Sequence, residues 1–187
     1  SLNKKTAFIL CFFFLGTTQF TQAQKKWSKR KEEALKKEVS QIVTANHKQS
    51  QVMVDKIFSF SELGFQEYES SKYLTGILKQ NGFEIEESVS GIPTAWFAKW
   101  SNGEGPVIAL GSDVDCIPKA SQYPGVAYHK PIVDGAPGHG EGHNSGIPLN
   151  ITAVLAVKKI MERENIGGTL ILWPGIAEEL VAAKAWY

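Results

Sequence analysis

The chain lacks three features that would each point to a class of function. Its 187 residues include only two cysteines, Cys11 and Cys116, so no disulfide framework is expected. Its 20 basic and 19 acidic residues leave a net charge of +1, which gives no global electrostatic case for binding nucleic acid. An uninterrupted apolar run, residues 7–15, is too short to cross a bilayer. A near-neutral chain long enough for one domain suits an enzyme that acts on small molecules.

The N-terminal residues have the pattern of an export signal. Lys4 and Lys5 precede the apolar run, and the small residues Thr21 and Ala23 suit cleavage after Ala23. We therefore expect residues 1–23 to be a signal peptide and the mature protein to be secreted or periplasmic, with no membrane attachment after cleavage. Cys116 would then be the sole cysteine. A retained membrane anchor is the alternative interpretation.

Hydrophobic periodicity predicts alternating helices and strands. Apolar residues at three- and four-residue spacing predict helices over residues 27–59, 67–80 and 145–163, with another helix starting at residue 176. Apolar segments predict strands over residues 83–89, 94–100, 106–111 and 169–173. Residues 107–110 are apolar on both faces, which is typical of an inner strand covered on two sides. The alternation predicts an α/β fold with layers in the order α/β/α.

Acidic pairs follow two of these strands. The strand at 106–111 leads into Asp113 and Asp115, and the strand at 169–173 leads into Glu178 and Glu179. Ligands of α/β sheets gather beyond the carboxyl ends of the strands, so both pairs should lie at one edge of the sheet. Taken alone, the aspartates could be turn formers and the glutamates ordinary acids of a first helical turn.

A glycine-rich stretch holds three side chains that can bind metal, His139, Glu141 and His143. In an extended backbone, residues two apart point to the same side, so all three could converge on one point. Imidazole with carboxylate is a ligand set for zinc, manganese or related divalent ions. The alternatives are exposed loop histidines or a nucleotide-binding loop, and the latter is disfavoured because no strand precedes the glycines.

Together these clusters could build a hydrolytic site with two metal ions. Two such ions activate a water molecule and polarise a carbonyl group. A free carboxylate beside the water would act as general base and pass its proton to the leaving amine. Glu178 and Glu179 could divide these tasks, one binding metal and the other moving protons.

Four motifs, in this order along the chain, resemble one enzyme family. They are SELGFQE at 61–67, GSDVD at 111–115, GHGEGHN at 138–144 and AEE at 177–179. This set resembles the aminoacylase- and carboxypeptidase-type metallopeptidases, on the branch of the hippurate and auxin-conjugate hydrolases. Within that branch it is most similar to the aminobenzoyl-glutamate hydrolases and their amidohydrolase relatives. The resemblance extends over residues 31–187.

The resemblance implies a role for each matched residue. His143 and Glu179 would bind metal, and Glu141 would take the place where this branch commonly has a cysteine ligand. Glu178 would be the general base, and Asp115 would be a catalytic-site carboxylate that orients a ligand. Carboxylate in place of thiolate makes the site harder, which favours two ions of manganese or zinc.

Two further residues receive weaker roles from the resemblance. His139 would lie at the edge of the site without binding metal directly. Asp113 stands where other branches have a histidine ligand, and we assign it no metal. Both could hold the metal ligands in place without binding metal themselves.

The resemblance also implies a larger protein. The family fold is a catalytic domain interrupted by a dimerisation domain, with two further histidines downstream. We expect residues 24–187 to be the N-terminal part of the catalytic domain, with the full-length form a dimer. The chain starts at Ser1 instead of Met and stops at Tyr187 within a predicted helix, which favours a partial reading frame.

The implied reaction is hydrolysis of the amide bond in an N-acyl or N-aroyl amino acid such as aminobenzoyl-glutamate. This 187-residue chain would show little or no turnover, since it lacks the downstream histidines. The alternative is a non-catalytic remnant, or a metal-binding fragment that depends on a partner.

Overall fold

The computed structural model describes residues 27–181, so the predicted signal peptide lies outside the described residues. Two helices occupy the first part, α1 at Lys29–Ala45 and α2 at His47–Phe60. The prediction of a single helix over 27–59 is therefore wrong. Asn46 separates the two helices, and both its backbone N–H and its side-chain amide donate to the carbonyl of Ile42. Asparagine favours such local bonds, and apolar spacing that continues past the break cannot reveal it.

The next helix and the four strands follow one another along the chain in the predicted order. Helix α3, Tyr68–Gln80, buries Leu74 and Leu78. The strands are β1 at Glu84–Glu87, β2 at Trp96–Ser101, β3 at Val107–Asp113 and β4 at Thr169–Gly175. They form one mixed sheet in the order β1-β2-β4-β3, in which β2 runs antiparallel to both neighbours and β3 runs parallel to β4. The α/β class is confirmed.

Helix α4, His143–Glu164, connects the parallel strands β3 and β4. It begins two residues earlier than expected, so His143 is its first residue. Gly142, at φ +88°, precedes the helix in a left-handed conformation that side-chain-bearing residues rarely adopt. This turn sets the direction in which His143 leaves the loop.

Strand β3 lies at an edge of the described sheet, so the prediction of an inner strand covered on two sides is wrong. Val107 is 64% exposed and Ile108 is 50% exposed. Their apolar character does not by itself specify which strand pairs with which, because pairing depends on residues far away in sequence.

Strand β4 continues through Pro174 and Gly175, past residue 173, where the predicted strand ends. These residues pair in register with Ser112 and Asp113. Strand β2 pairs only with Thr169–Leu172, so Pro174 lies where β4 has a strand neighbour on one side alone, and proline is tolerated there. Beyond it, the described residues contain a short 3₁₀ helix, Glu178–Leu180, in place of the predicted α-helix.

The helices pack on one face of the sheet. The core joins residues of α2, α3 and α4 to the inward side chains of the central strands, and includes Ile57, Leu78, Ile151, Ala98 and Leu172. On the opposite face, Ile85, Phe97, Ile171 and Trp173 line a shallow cavity of about 510 Å³. Within residues 27–181, no helix has both the length and the apolar character needed to span a membrane.

Candidate metal centre

The carboxyl ends of β3 and β4 bring the two acidic pairs to one edge, as predicted. Asp113 is the last residue of β3, and Asp115 follows two residues later. Glu178 and Glu179 follow the end of β4 at Gly175. Because the two strands are parallel and adjacent, their exits lie side by side.

Four side chains form a cluster at this edge. Glu141, His143, Glu178 and Glu179 each place one atom able to bind metal within 4.8 Å of the others. Nε2 of His143 lies 3.6 Å from Oε2 of Glu141 and 3.9 Å from Oε2 of Glu178. Nδ1 of His143 lies 3.7 Å from Oε1 of Glu179. The structure therefore brings these four residues of the predicted site together.

The cluster has a buried side and an open side. His143 and Glu179 have side chains 13% and 18% exposed, whereas Glu141 is 63% exposed and Glu178 is 34% exposed. A small molecule can therefore reach the cluster past Glu141 and Glu178.

Asp115 lies behind the cluster and contacts two of its members. It is 1% exposed, and its Oδ2 accepts a hydrogen bond from the backbone N–H of Glu179 at 3.0 Å. Its backbone carbonyl is 3.1 Å from Nδ1 of His143. With the proton on Nδ1, this contact is a hydrogen bond donated by the imidazole, and Nε2 is left with its lone pair directed at Glu141 and Glu178.

The electrostatics of the cluster suit a cation. Partial burial raises the pKa of Glu179, and the negative charge of Glu141 raises it further. Oδ1 of Asp115 is buried, lies 3.5 Å from Nδ1 of His143, and has no hydrogen-bond partner among the described residues. Several carboxylates around one imidazole repel one another, and a divalent ion with oxygen and nitrogen ligands offsets that repulsion. The residues present therefore fit such an ion.

His139 does not converge with the other two members of its loop. Its Nε2 lies 3.0 Å from the backbone carbonyl of Ile57, at the end of α2. The N–H of Gly140 donates to the carbonyl of Gly138 at 3.0 Å, so the backbone turns at His139 instead of staying extended, and the alternation expected for 139, 141 and 143 does not hold. Burial lowers the pKa of His139, and the nearby His143 lowers it further. The three side chains therefore do not all converge, although Glu141 and His143 do.

Asp113 also lies outside the four-residue cluster. It pairs with Gly175 at the end of the β3–β4 ladder.

Two acidic residues of the SELGFQE motif accept hydrogen bonds from the backbone, although the sequence analysis gave neither a role, and one of them contacts the site. Glu62 accepts hydrogen bonds from the backbone N–H groups of Glu69 and Ser70, at the start of α3. Glu67 is fully buried, and its Oε1 accepts from the N–H of Ala177 at 2.8 Å. In the sequence, only the motif as a whole pointed to these two residues, because the spacing of acidic residues does not show which of them is buried.

Comparisons with known proteins support the family resemblance. No protein-family model matches the chain. The chain is 32% identical over 148 residues to a subunit of the p-aminobenzoyl-glutamate hydrolase of Escherichia coli, and the alignment covers 79% of this chain and 31% of that protein. This chain thus spans less than a third of that relative's length.

Solved structures share the fold. The chain matches a dinuclear metal-binding peptidase of the M20 family from Bacillus subtilis with a TM-score of 0.61 and 25% identity, over 76% of this chain and 38% of that one. It matches an aminobenzoyl-glutamate utilization protein from Klebsiella pneumoniae with a TM-score of 0.52 and 13% identity, over 75% and 39%. The second match supports the fold alone.

Proposed function

We propose that this chain forms part of the catalytic domain of a metal-dependent amidohydrolase related to the aminoacylase- and carboxypeptidase-type metallopeptidases. The observation that carries this proposal is the convergence of Glu141, His143, Glu178 and Glu179 from two separate segments of the chain. Loops at the carboxyl ends of parallel strands commonly hold ligands, and this cluster lies there.

We assign the metal ligands by combining this geometry with the resemblance. Glu141, His143 and Glu179 would hold two divalent ions, for which manganese and zinc suit the mixed oxygen and nitrogen donors. Such ions supply Lewis-acid polarisation of a carbonyl and a water molecule with a lowered pKa. The dinuclear metal-binding peptidase from Bacillus subtilis supports the use of divalent metal.

The chain's own residues would supply proton transfer and orientation. Glu178 is partly exposed, with Oε2 3.9 Å from Nε2 of His143. There it could accept a proton from the attacking water and deliver it to the leaving amine. Asp115 would keep the imidazole and the acidic turn aligned through its carbonyl and Oδ2.

We propose an N-acyl or N-aroyl amino acid as substrate, in the class of aminobenzoyl-glutamate. The support is the name of the Escherichia coli relative, which belongs to a hydrolase of p-aminobenzoyl-glutamate. That relative is one subunit of its enzyme, which supports a protein that works with a partner, and we propose a dimer for the full-length form. The N-terminal pattern supports export with cleavage after Ala23.

A second candidate function is metal binding without turnover by these 187 residues alone. The described site contains a single imidazole, and the chain spans 31% of the relative's length. We propose that the chain by itself binds metal and shows little or no hydrolysis.

Metal analysis and hydrolysis assays test the two candidates. The mature chain should bind zinc or manganese, and His143→Ala should abolish that binding. A longer protein that contains these 187 residues should hydrolyse p-aminobenzoyl-glutamate, and Glu178→Gln should reduce its kcat by about 100-fold or more. A metal-free and inactive longer form would refute the amidohydrolase. Glu178-dependent turnover by the 187-residue chain would refute the second candidate.

A further inference from the structure

The loop between α2 and α3, residues 61–67, contacts both acidic segments of the site. We call it the 61–67 loop. At one end, the carbonyl of Glu62 accepts a hydrogen bond from the N–H of Cys116 at 2.8 Å, and Leu63 forms a parallel bridge with Cys116. These bonds tie the loop to the residue that follows Asp115.

At its other end, the same loop contacts the turn after β4. Glu67 is fully buried, and both its carboxylate oxygens accept hydrogen bonds. Oε1 accepts from the backbone N–H of Ala177 at 2.8 Å, and Oε2 accepts from the hydroxyl of Thr94 at 2.9 Å. Bonds to a carboxylate are stronger than bonds between neutral groups, so this contact restrains Ala177 firmly.

Ala177 needs such a restraint. It adopts φ 49° and ψ 43°, the left-handed region that residues with a Cβ rarely occupy, and it is fully buried. Glu178 and Glu179 follow directly, so the conformation of Ala177 sets the direction of both side chains. Without an acceptor for its N–H, a buried polar group would also be left unsatisfied.

The middle of the loop fits closely between the two acidic segments. A Cβ added at Gly64 would lie 2.9 Å from Cα of Ala177 and 3.3 Å from Oδ2 of Asp115. The loop therefore sets the spacing between Asp115 and the Glu178–Glu179 turn.

We propose that Glu67 is a positioning residue for the metal centre: its buried carboxylate holds the turn at Ala177 so that Glu178 and Glu179 face His143. This inference rests on the proposed function only in taking the cluster as a metal site. The assignment of metal ligands leaves the SELGFQE motif without a role, and this inference gives it one. A purely structural Glu67 would support folding without changing metal affinity.

The test compares four forms of the mature chain in two measurements. The forms are wild type, Glu67→Met, Glu67→Gln and the matched control Glu62→Ala. Hydrogen exchange at the Ala177 amide is measured in metal-free buffer, and zinc binding is measured by calorimetry with zinc alone. Methionine fills a similar volume without an acceptor, whereas glutamine retains one acceptor oxygen.

We expect Glu67→Met to lose protection at Ala177 and to bind zinc about 10- to 100-fold more weakly. Glu67→Gln should restore both readouts to near the wild-type values. Glu62→Ala should lower thermal stability, since it removes the acceptor for two N–H groups of α3, while both readouts stay unchanged.

Unchanged zinc affinity or unchanged Ala177 protection in Glu67→Met would overturn the inference. If Glu67→Met does not fold, Glu67→Asp is assessed by the same two criteria, because it keeps the charge but draws the carboxylate back from Ala177. If wild type binds no zinc, the proposed function fails, and exchange at Ala177 still decides whether Glu67 holds the turn.

Discussion

The backbone N–H of Glu179 donates a hydrogen bond to Oδ2 of Asp115 at 3.0 Å. This bond joins the segment that follows β4 to the segment that follows β3. The carbonyl of Asp115 also lies 3.1 Å from Nδ1 of His143. A single buried residue thus contacts the imidazole and one glutamate of the cluster, which makes it sensitive to substitution.

Asp115→Asn should weaken zinc binding by about 10- to 100-fold, because the amide keeps the shape but loses the charge that supports the ligands. Calorimetry on the purified chain measures the effect. Asp55→Asn is the matched control, since Asp55 is an exposed residue of α2 outside the cluster, and it should change the affinity by less than about 3-fold. Equal losses in both variants would contradict the role given to Asp115.

Glu141→Cys should shift the metal preference toward zinc over manganese. Thiolate is a softer ligand than carboxylate, so the ratio of zinc to manganese affinity should rise by about 10-fold or more. The side chain of Glu141 is 63% exposed, and the exchange should therefore leave the fold intact. Competition titrations with both metals check this, with Glu141→Ser as the control that removes the carboxylate without adding a thiolate. An unchanged ratio would show that residue 141 does not bind metal.

Gly146→Ala and Gly76→Ala should have opposite effects on stability, although both lie in helices. A Cβ at Gly146 would overlap the side chain of Ser112, where α4 packs on β3, so Gly146→Ala should destabilise by about 1–3 kcal/mol. A Cβ at Gly76 meets nothing within 4 Å, and Gly76→Ala should stabilise by about 0.5–1 kcal/mol. Urea unfolding measures both, and a stabilised Gly146→Ala would contradict the close packing of α4.

Glu67 should make the stability depend on pH. Burial raises the pKa of Glu67 above 4.5, despite opposing hydrogen bonds from Ala177 and Thr94. An acid whose pKa is raised in the folded state favours folding below its unfolded pKa, and this contribution is lost as the pH rises through the folded pKa. Glu67→Gln cannot ionise, so its free energy of unfolding should increase relative to wild type from pH 4.5 towards neutrality.

Urea unfolding in metal-free buffer at several pH values measures this difference. Glu86→Gln, on the exposed strand β1, makes the same chemical change without burial and serves as the control. A difference between Glu67→Gln and wild type that stays constant with pH would argue against a burial penalty at Glu67.

Cys116 should resist thiol reagents in the folded protein. It is 1% exposed, and burial, aided by the neighbouring Asp115 carboxylate, raises the pKa of its thiol to about 12. In a chain that starts at residue 24 it is the sole cysteine. Ellman's reagent should label it rapidly in urea and barely at neutral pH without urea. Fast labelling of the native protein would mean that the region around Asp115 opens readily.

The sequence by itself determined most of the local elements and the members of the four-residue cluster. Periodicity within each segment predicts helix or strand, and acids directly after strands predict which side chains reach the edge of a parallel pair. Membership of this cluster could be predicted because each member follows or precedes a recognisable helix or strand by a few residues. The members are Glu141, His143, Glu178 and Glu179.

Only the tertiary structure decided which segments became neighbours. It placed β3 at an edge, turned His139 towards Ile57, and buried Glu67 against Ala177, 110 residues away. The physical reason is that a residue's spacing along the chain determines which face it occupies, whereas its hydrogen-bond partners and burial depend on how distant segments pack together.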